Sequence, residues 1–206
     1  PGEVGVAWVS LVSFPDGATD IENIDIQAPG LRGKAAVRLD RRDKFLSTKI
    51  EKFVLGRTDF GGVISVLQDG VYDVRLKGRS LDVVPMLAEA DNADGSTMPQ
   101  LNLTTNFETV WFDLDVPVHN VSGTMLYDGE FWNQAALTGI VAKNQLFSYE
   151  LKTVADKQRY TLRAEDAGGI LAGLDITDTF RGGKLVLTAD RKRAKKQSWM
   201  GSLNIS

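Results

Sequence analysis

The segment Val110-Trp111-Phe112-Asp113-Leu114-Asp115-Val116 alternates apolar and polar residues with a period of two. This alternation is typical of a half-buried antiparallel strand, and it places Phe112, Leu114 and Val116 on one face. The segment decides the fold class because the same period recurs along the chain. Phe147–Lys152 is a second clear instance, with Phe147, Tyr149 and Leu151 on one face.

Asp-Gly pairs separate several of the predicted strands. Asp69-Gly70 lies between two of them, and Asp128-Gly129 follows the alternating segment Val121–Tyr127. An Asp-Gly pair accepts the positive φ angles of a type I′ hairpin turn. About ten short strands at this spacing predict an antiparallel meander, so the expected fold class is mainly β.

Two short helices are expected to interrupt the strands. They are predicted at 83–90 and 167–174, with Asp82 and Asp166 as their N-caps. Each predicted helix follows a hairpin and a capping Asp, which indicates a weak internal repeat.

The best candidate for a linker is 91–100, which is rich in Asp, Asn, Gly and Ser. We expect it to join two lobes of one sheet, 1–90 and 101–206, rather than two independent domains. The prediction is therefore a single β-rich domain or fragment over 1–206.

The composition excludes several kinds of site. The 206 residues carry a net charge of −3 and include no cysteine and one histidine. Disulfides, thiolate zinc sites and multi-histidine metal sites are therefore excluded, and nucleic acid is not an expected partner. No apolar run is long enough to cross a bilayer. The chain opens with Pro1-Gly2-Glu3 and has no signal peptide, so we expect a piece of a longer protein.

No motif for catalysis or cofactor binding stands out. Asp113 and Asp115 are spaced to form an acid/base pair, but strict alternation already explains them as a solvated face. His119 has no accompanying Gly-x-Ser-x-Gly motif, and 91–95 lacks the ligand spacing of a calcium loop. We therefore expect neither an enzyme nor a bound cofactor or metal.

A cluster of positive charges lies near the end of the chain. Five of the six residues from 191 to 196 are basic: Arg191, Lys192, Arg193, Lys195 and Lys196. They are candidates for contact with anionic lipid headgroups, which attract each such charge by up to about 1 kcal/mol. The alternative is a solvated hairpin tip that protects a sheet edge.

Tryptophans indicate that part of the sheet is apolar on both faces. Trp111 and Trp132 fall opposite Phe112 and Phe131 in the alternation. Such a face needs a cover or a ligand, although ordinary core packing is the alternative.

Two longer stretches carry a family resemblance. The matching segments are 53–58, 70–78, 81–82, 164–168, 171–176, 180–185 and 201–203. They resemble the AsmA-like C-terminal region of the AsmA/YhdP/TamB group of bacterial envelope proteins, in which Arg-Gly-Gly-x-Leu opens a strand after a short helix. Here Arg181-Gly182-Gly183-Lys184-Leu185 has that form. The resemblance covers about residues 50–206.

The resemblance implies a function. Members of the AsmA/YhdP/TamB group resemble bridge-like lipid-transfer proteins, anchored in the inner membrane of Gram-negative bacteria and reaching through the periplasm. It implies a strongly curved sheet, shaped like a groove or half-barrel, that carries phospholipid or other acyl lipids to the outer membrane. The groove candidates by alternation are Phe112, Leu114, Val116, Met125, Leu137, Phe147, Tyr149 and Leu151. The alternative is a non-catalytic scaffold or interaction module of the cell envelope.

Overall fold

One open sheet contains every strand of the computed structural model, which describes residues 5–15, 19–85, 98–112, 117–141, 145–173, 177, 179, 181–192 and 200–206. In this part of the chain there are thirteen strands and one helix. The strands are β1 (Val6–Ser13), β2 (Thr19–Ala28), β3 (Leu31–Leu39), β4 (Phe45–Leu55), β5 (Thr58–Val66), β6 (Tyr72–Asp82), β7 (Leu101–Trp111), β8 (Pro117–Tyr127), β9 (Trp132–Val141), β10 (Gln145–Val154), β11 (Lys157–Ala164), β12 (Leu185–Lys192) and β13 (Met200–Ile205), and the helix is α1 (Ala167–Gly173).

The strands follow one another in the sheet in chain order, from β1 at one edge to β13 at the other. Eleven of the twelve neighbouring pairs are antiparallel, which confirms a mainly β fold built as a meander. The exception is β6 and β7, which pair in parallel. A parallel pair needs a crossover, and 83–100 is long enough to make it.

Several local predictions were wrong. A strand was predicted over 110–116, but the strand here is β7, which ends at Trp111. Residues 113–116 fall outside the described residues. The Asp-Gly turns are not type I′, because positive φ occurs at Gly70 and Gly129 but at neither preceding Asp. A type I′ turn needs positive φ at both central residues.

One helix is described where two were expected. The predicted N-cap of α1 is confirmed, because Asp166 Oδ1 accepts a hydrogen bond of 2.9 Å from the Gly169 N–H. The Val83 N–H donates to the Trp111 carbonyl and prolongs the β6–β7 pairing, so the helix predicted at 83–90 starts no earlier than Val84. Val84 and Pro85 are helical, and the Val84 N–H donates to the predicted N-cap Asp82 at Oδ1, at 3.2 Å. Residues 86–90 and 91–97, which include most of the predicted linker, lie outside the described part.

The two faces of the sheet differ sharply in chemistry. One row of registered partners crosses all thirteen strands without a charged residue. In strand order this row is Leu11, Ile21, Val37, Thr48, Ile64, Val74, Leu103, Met125, Ala135, Leu151, Tyr160, Ala189 and Gly201. We call the face that contains this row the apolar face.

The neighbouring row points to the opposite, polar face, because successive side chains of a strand alternate. Its members are Val12, Asp20, Arg38, Ser47, Ser65, Asp73, Asn102, Leu126, Gln134, Lys152, Arg159, Asp190 and Met200. Ion pairs join adjacent strands there, as between Arg38 and Asp20 at 2.7 Å. Surface ion pairs of this kind add little to the free energy of unfolding, but their presence indicates that this face is in contact with water.

The apolar face is buried only in the second half of the chain. The buried apolar residues of the described part all lie at or after Phe107, and they include Ala167 and Ile170 of α1. In β1–β6 the one buried residue is Thr58. The helix therefore covers the C-terminal strands, while the described residues leave the apolar face of β1–β6 partly open to solvent.

An irregularity in β8 places two residues that are three positions apart on the same face of the sheet. Val118 and Val121 are both buried, although a regular strand would direct them to opposite faces. Between them Asn120 has a φ of 50°, and the β8–β9 register shifts between His119 and Ser122. The bulge brings Val118 back to the apolar face.

We expect Gly78→Ala to destabilise the sheet by about 1–3 kcal/mol, the usual cost of overpacking. Gly78 lies between Phe60 and Phe107 in the register, and the two rings meet edge to face at 6.4 Å. A Cβ added to Gly78 would lie 2.6 Å from the Phe60 Cα. Denaturant unfolding measures the change.

Gly33→Ala is the matched control, because Gly33 lies on the same face and an added Cβ would meet only Ile26, at 3.8 Å. We expect its free energy of unfolding to stay within about 0.5 kcal/mol of the native value. Equal losses in the two variants would contradict a close approach at Gly78.

Candidate functional site

An apolar cavity lies between α1 and the apolar face of the C-terminal strands. Its volume is about 730 Å³. It is lined by Phe112, Val118, Leu137, Val141, Phe147, Tyr149, Tyr160, Leu162, Gly169, Ile170, Leu187, Ala189 and Gly201. None of these side chains is charged, so the cavity offers an apolar surface interrupted by two phenols.

Strand register builds the floor of the cavity. Leu137, Tyr149, Leu162 and Leu187 are successive partners across β9, β10, β11 and β12. In the next row, Tyr160 is followed by Ala189 and Gly201. The small residues on β12 and β13 leave the space beside Tyr160 that a larger core residue would fill.

The helix forms the roof and is tied to the start of β12. Ala167 and Gly168 donate backbone hydrogen bonds of 2.7 and 3.2 Å to the Gly183 and Gly182 carbonyls. Both glycines have positive φ, 84° and 68° respectively, which glycine adopts without strain. This turn satisfies two N–H groups at the helix start. It also fixes Ile170 above the strands, where it is buried in the core cluster.

Two tyrosines bring hydroxyl groups to this apolar surface. Burial, with a smaller contribution from Tyr160, raises the pKa of Tyr149 to about 12. Burial also raises the pKa of Tyr160, and the positive charge of Arg191 acts in the opposite direction. Both phenols are therefore neutral at physiological pH and act as hydrogen-bonding groups.

A buried glutamine supports one of these phenols. The Tyr160 hydroxyl donates to Gln158 Oε1 at 3.0 Å, and Gln158 Nε2 donates to the Trp132 carbonyl at 2.6 Å. Gln158 is only 2% exposed. The pair of bonds holds its amide in a defined orientation at the edge of the apolar surface.

Four of the eight groove candidates line the cavity, namely Phe112, Leu137, Phe147 and Tyr149. Met125 and Leu151 lie on the same apolar face but outside the cavity lining, and Leu151 is buried. Leu114 and Val116 lie outside the described residues.

The basic cluster begins in a strand and not in a loop. β12 continues through Arg191 and Lys192, so the predicted loop over 191–196 starts too early. Lys192 is exposed, whereas Arg191 is partly buried and is the registered partner of Gln158. The remaining candidates, Arg193, Lys195 and Lys196, lie outside the described residues.

The residues considered for catalysis are not assembled in the described part of the chain. His119 is an exposed residue of β8 whose Nδ1 lies 3.3 Å from the Thr109 hydroxyl, and Asp113 and Asp115 fall outside this part. The described residues contain no group of three His, Cys, Asp or Glu side chains placed to hold a metal ion. They also contain no helix with the length and apolar character needed to cross a membrane.

Sequence reasoning missed much of the cavity lining. The missed residues are Val118, Val141, Tyr160, Leu162, Gly169, Ile170, Leu187, Ala189 and Gly201. Alternation extended through the hairpins from Tyr149 would have found Leu162 and Leu187, because they continue its row. The two-residue alternation could not predict that helix residues line the cavity, because the position of the helix depends on the Gly182-Gly183 turn.

Comparisons with known proteins find no matching family model, no matching curated protein and no matching solved structure. The features that bear on function are therefore the apolar face, the cavity and the polar groups at its edge.

Proposed function

We propose that this chain is a segment of a periplasmic lipid-transfer bridge, which shields phospholipid acyl chains between the inner and outer membranes. The proposal is based mainly on the apolar face. One row of this face crosses all thirteen strands without a charged side chain, and the face is buried in only part of its length. The resemblance of residues 50–206 to the AsmA-like region points the same way. The chain would work as part of a longer protein anchored in the inner membrane.

The apolar face suits acyl chains because their binding needs no directional bonds. Each CH₂ group removed from water contributes roughly 0.8 kcal/mol. Most of the residues that would meet the chains in β1–β6 are aliphatic or aromatic, such as Ile24, Ile50 and Leu76, and none of these three is fully buried. A lipid lying there would cover surface that the described residues leave partly exposed.

The cavity has the size and chemistry of a ligand site. Small-molecule sites commonly enclose roughly 300–1,000 Å³ and combine apolar walls with a few polar groups. The cavity here encloses about 730 Å³ and has Tyr149 and Tyr160 as its polar groups. We take it to be the part of the groove where the helix closes over the lipid.

Curvature toward the apolar face completes the groove. Several of the residues on this face are glycines, including Gly62, Gly78 and Gly123, and an added Cβ at Gly62 would come within 2.9 Å of the Leu76 side chain. Strand glycines often mark bends where backbones approach closely. Because these glycines have no side chain, the neighbouring backbones can approach closely and the sheet can curl toward the apolar face. The charged face is then directed outward to water.

The second candidate function is a non-catalytic scaffold module of the envelope. The observation in its favour is the edge strand β1, where Trp8, Val9 and Leu11 are 53%, 57% and 64% exposed. Exposed apolar edge strands pair readily with other strands. In that case the apolar face would be covered by protein and not by lipid.

Leu137→Asp separates the two functions. In a groove the site is partly wet, so we expect a modest loss of thermal stability together with loss of bound phospholipid. In a sealed protein core an unpaired charge would cost several kcal/mol and unfold the chain. Thermal unfolding and phospholipid content by mass spectrometry are measured on the same preparations.

Thr138→Asp is the matched control, because Thr138 is exposed on the polar face one residue away and lies opposite two serines. It should keep both lipid and stability. A native protein that carries no lipid, together with unfolding of the Leu137 variant, would contradict lipid transfer and favour the scaffold.

The basic cluster yields a separate test of membrane contact. Replacement of Lys192, Arg193, Lys195 and Lys196 by Gln should weaken binding to vesicles containing anionic phosphatidylglycerol and remove its salt dependence. Thermal stability should change little at Lys192, which is exposed, since surface substitutions usually cost less than about 0.5 kcal/mol.

Vesicles of neutral phosphatidylcholine are the control in a sedimentation assay. Equal binding of the native and neutralised proteins to anionic vesicles at low salt would show that this cluster does not contact the membrane.

A further inference from the structure

The two ends of the cavity differ in polarity. At one end, Val141 and Phe147 are buried beneath α1, together with Ile170 of the helix itself. Toward the other end of the strands the lining changes to Tyr160, Ala189 and Gly201. An occupant would therefore meet only apolar groups under the helix and hydroxyl groups away from it.

A positive charge lies just beyond the polar end. Arg191 follows the lining residue Ala189 by two positions in β12, so both lie on the apolar face. Its registered partner in β11 is Gln158, which accepts the Tyr160 hydroxyl hydrogen bond. Arg191 thus lies on the apolar face in the row beyond that of Tyr160, just outside the cavity lining.

Tyr149 offers a further hydrogen-bond donor at the cavity wall. Within the described part of the chain its hydroxyl makes no hydrogen bond, although it lies among Leu137, Leu162 and Tyr160. A hydroxyl that has no protein partner can donate to a ligand oxygen, which would be a favourable neighbour. Phenol and guanidinium groups both donate hydrogen bonds to anionic oxygens.

We infer that the cavity binds acyl lipids with an anionic head in one orientation, with the chain beneath α1 and the head toward Tyr149 and Arg191. This inference rests on the proposed function and adds to it a preference for head charge and an orientation of the bound lipid. The shared chemistry is an anionic carboxylate or phosphate oxygen on an acyl chain.

The test compares three ligands that share one saturated chain: laurate, dodecyl phosphate and dodecanol. Calorimetric titration of the native protein should give affinities for the two anions about tenfold or more above that for the neutral alcohol. A hydrogen bond to a charged group contributes roughly 1.5–3 kcal/mol, which corresponds to at least about a tenfold change in Kd. A difference between laurate and dodecyl phosphate identifies which head the site prefers.

Arg191→Gln should lower the affinity for both anions about tenfold and leave dodecanol within about twofold, because only the charged contact is lost. Arg191→Lys should retain the preference for anions. Tyr149→Phe, which removes one hydroxyl without changing the ring, should weaken anion binding several-fold without affecting dodecanol. It tests the same site if the arginine variants do not fold.

Arg163→Gln is the matched control, because Arg163 is exposed on the polar face of the adjacent strand β11. It removes one positive charge of the same kind and should leave all three affinities unchanged. An equal loss in this variant would mean that net charge, and not the cavity, attracts the anions, and would overturn the inference.

Two failures are distinguishable. Equal binding of all three ligands to the native protein would overturn the preference for an anionic head while supporting an apolar ligand site. Absence of binding by all three would overturn both this inference and the proposed lipid function.

Discussion

The rest of the structure depends on one constraint, the burial of one face of a long sheet in which one row has no charged residue and the neighbouring row has six in thirteen. Backbone hydrogen bonds between consecutive strands are satisfied locally, so the meander can extend one hairpin at a time. The side chains set a different requirement, because one face carries Leu11, Ile64 and Leu151 in a single row and must leave water. Domains usually meet this requirement by packing a second layer of sheet or helices on the apolar face.

Here the described second layer is a single helix of seven residues. Its small residues and its attachment through the Gly182-Gly183 carbonyls bring it close to Phe147, Ala164 and Leu185, where the core is fully buried. The helix is too short to cover thirteen strands. The cavity and the partly open face of β1–β6 both follow from this mismatch between a long apolar surface and a short cover.

Local sequence patterns predicted the parts of the fold that depend on local geometry. Phe147, Tyr149 and Leu151 share a face as their alternation indicated, and Asp166 caps its helix. The parallel β6–β7 pair was not predictable in this way, because it depends on how the chain crosses over between strands. The bulge at Asn120 was missed for a similar reason, since its positive φ shifts the alternation without any glycine to mark it.

The site was harder to predict than the fold because it depends on relations between distant strands. The alternation placed Tyr149 on the correct face, but Tyr160 and Arg191 become its neighbours only when two further hairpins are in register. The run of basic residues that begins at Arg191 predicts a loop that contacts lipid headgroups or forms a solvated hairpin tip, whereas strand pairing extends through Arg191. Position in a strand, rather than local charge, determines which face a residue joins.

The phenols distinguish an occupied cavity from a closed core on energetic grounds. A hydroxyl taken out of water without a partner costs roughly 1–3 kcal/mol by protein mutational data, and buried phenols normally have one. Tyr160 meets that requirement through Gln158, which is held by the Trp132 carbonyl. Tyr149 has no such partner among the described residues, and its hydroxyl is not one of the buried polar atoms that lack a partner, so it stays accessible at the cavity wall. Its hydroxyl is therefore better explained by a cavity that holds water or the polar end of a ligand than by a sealed protein core.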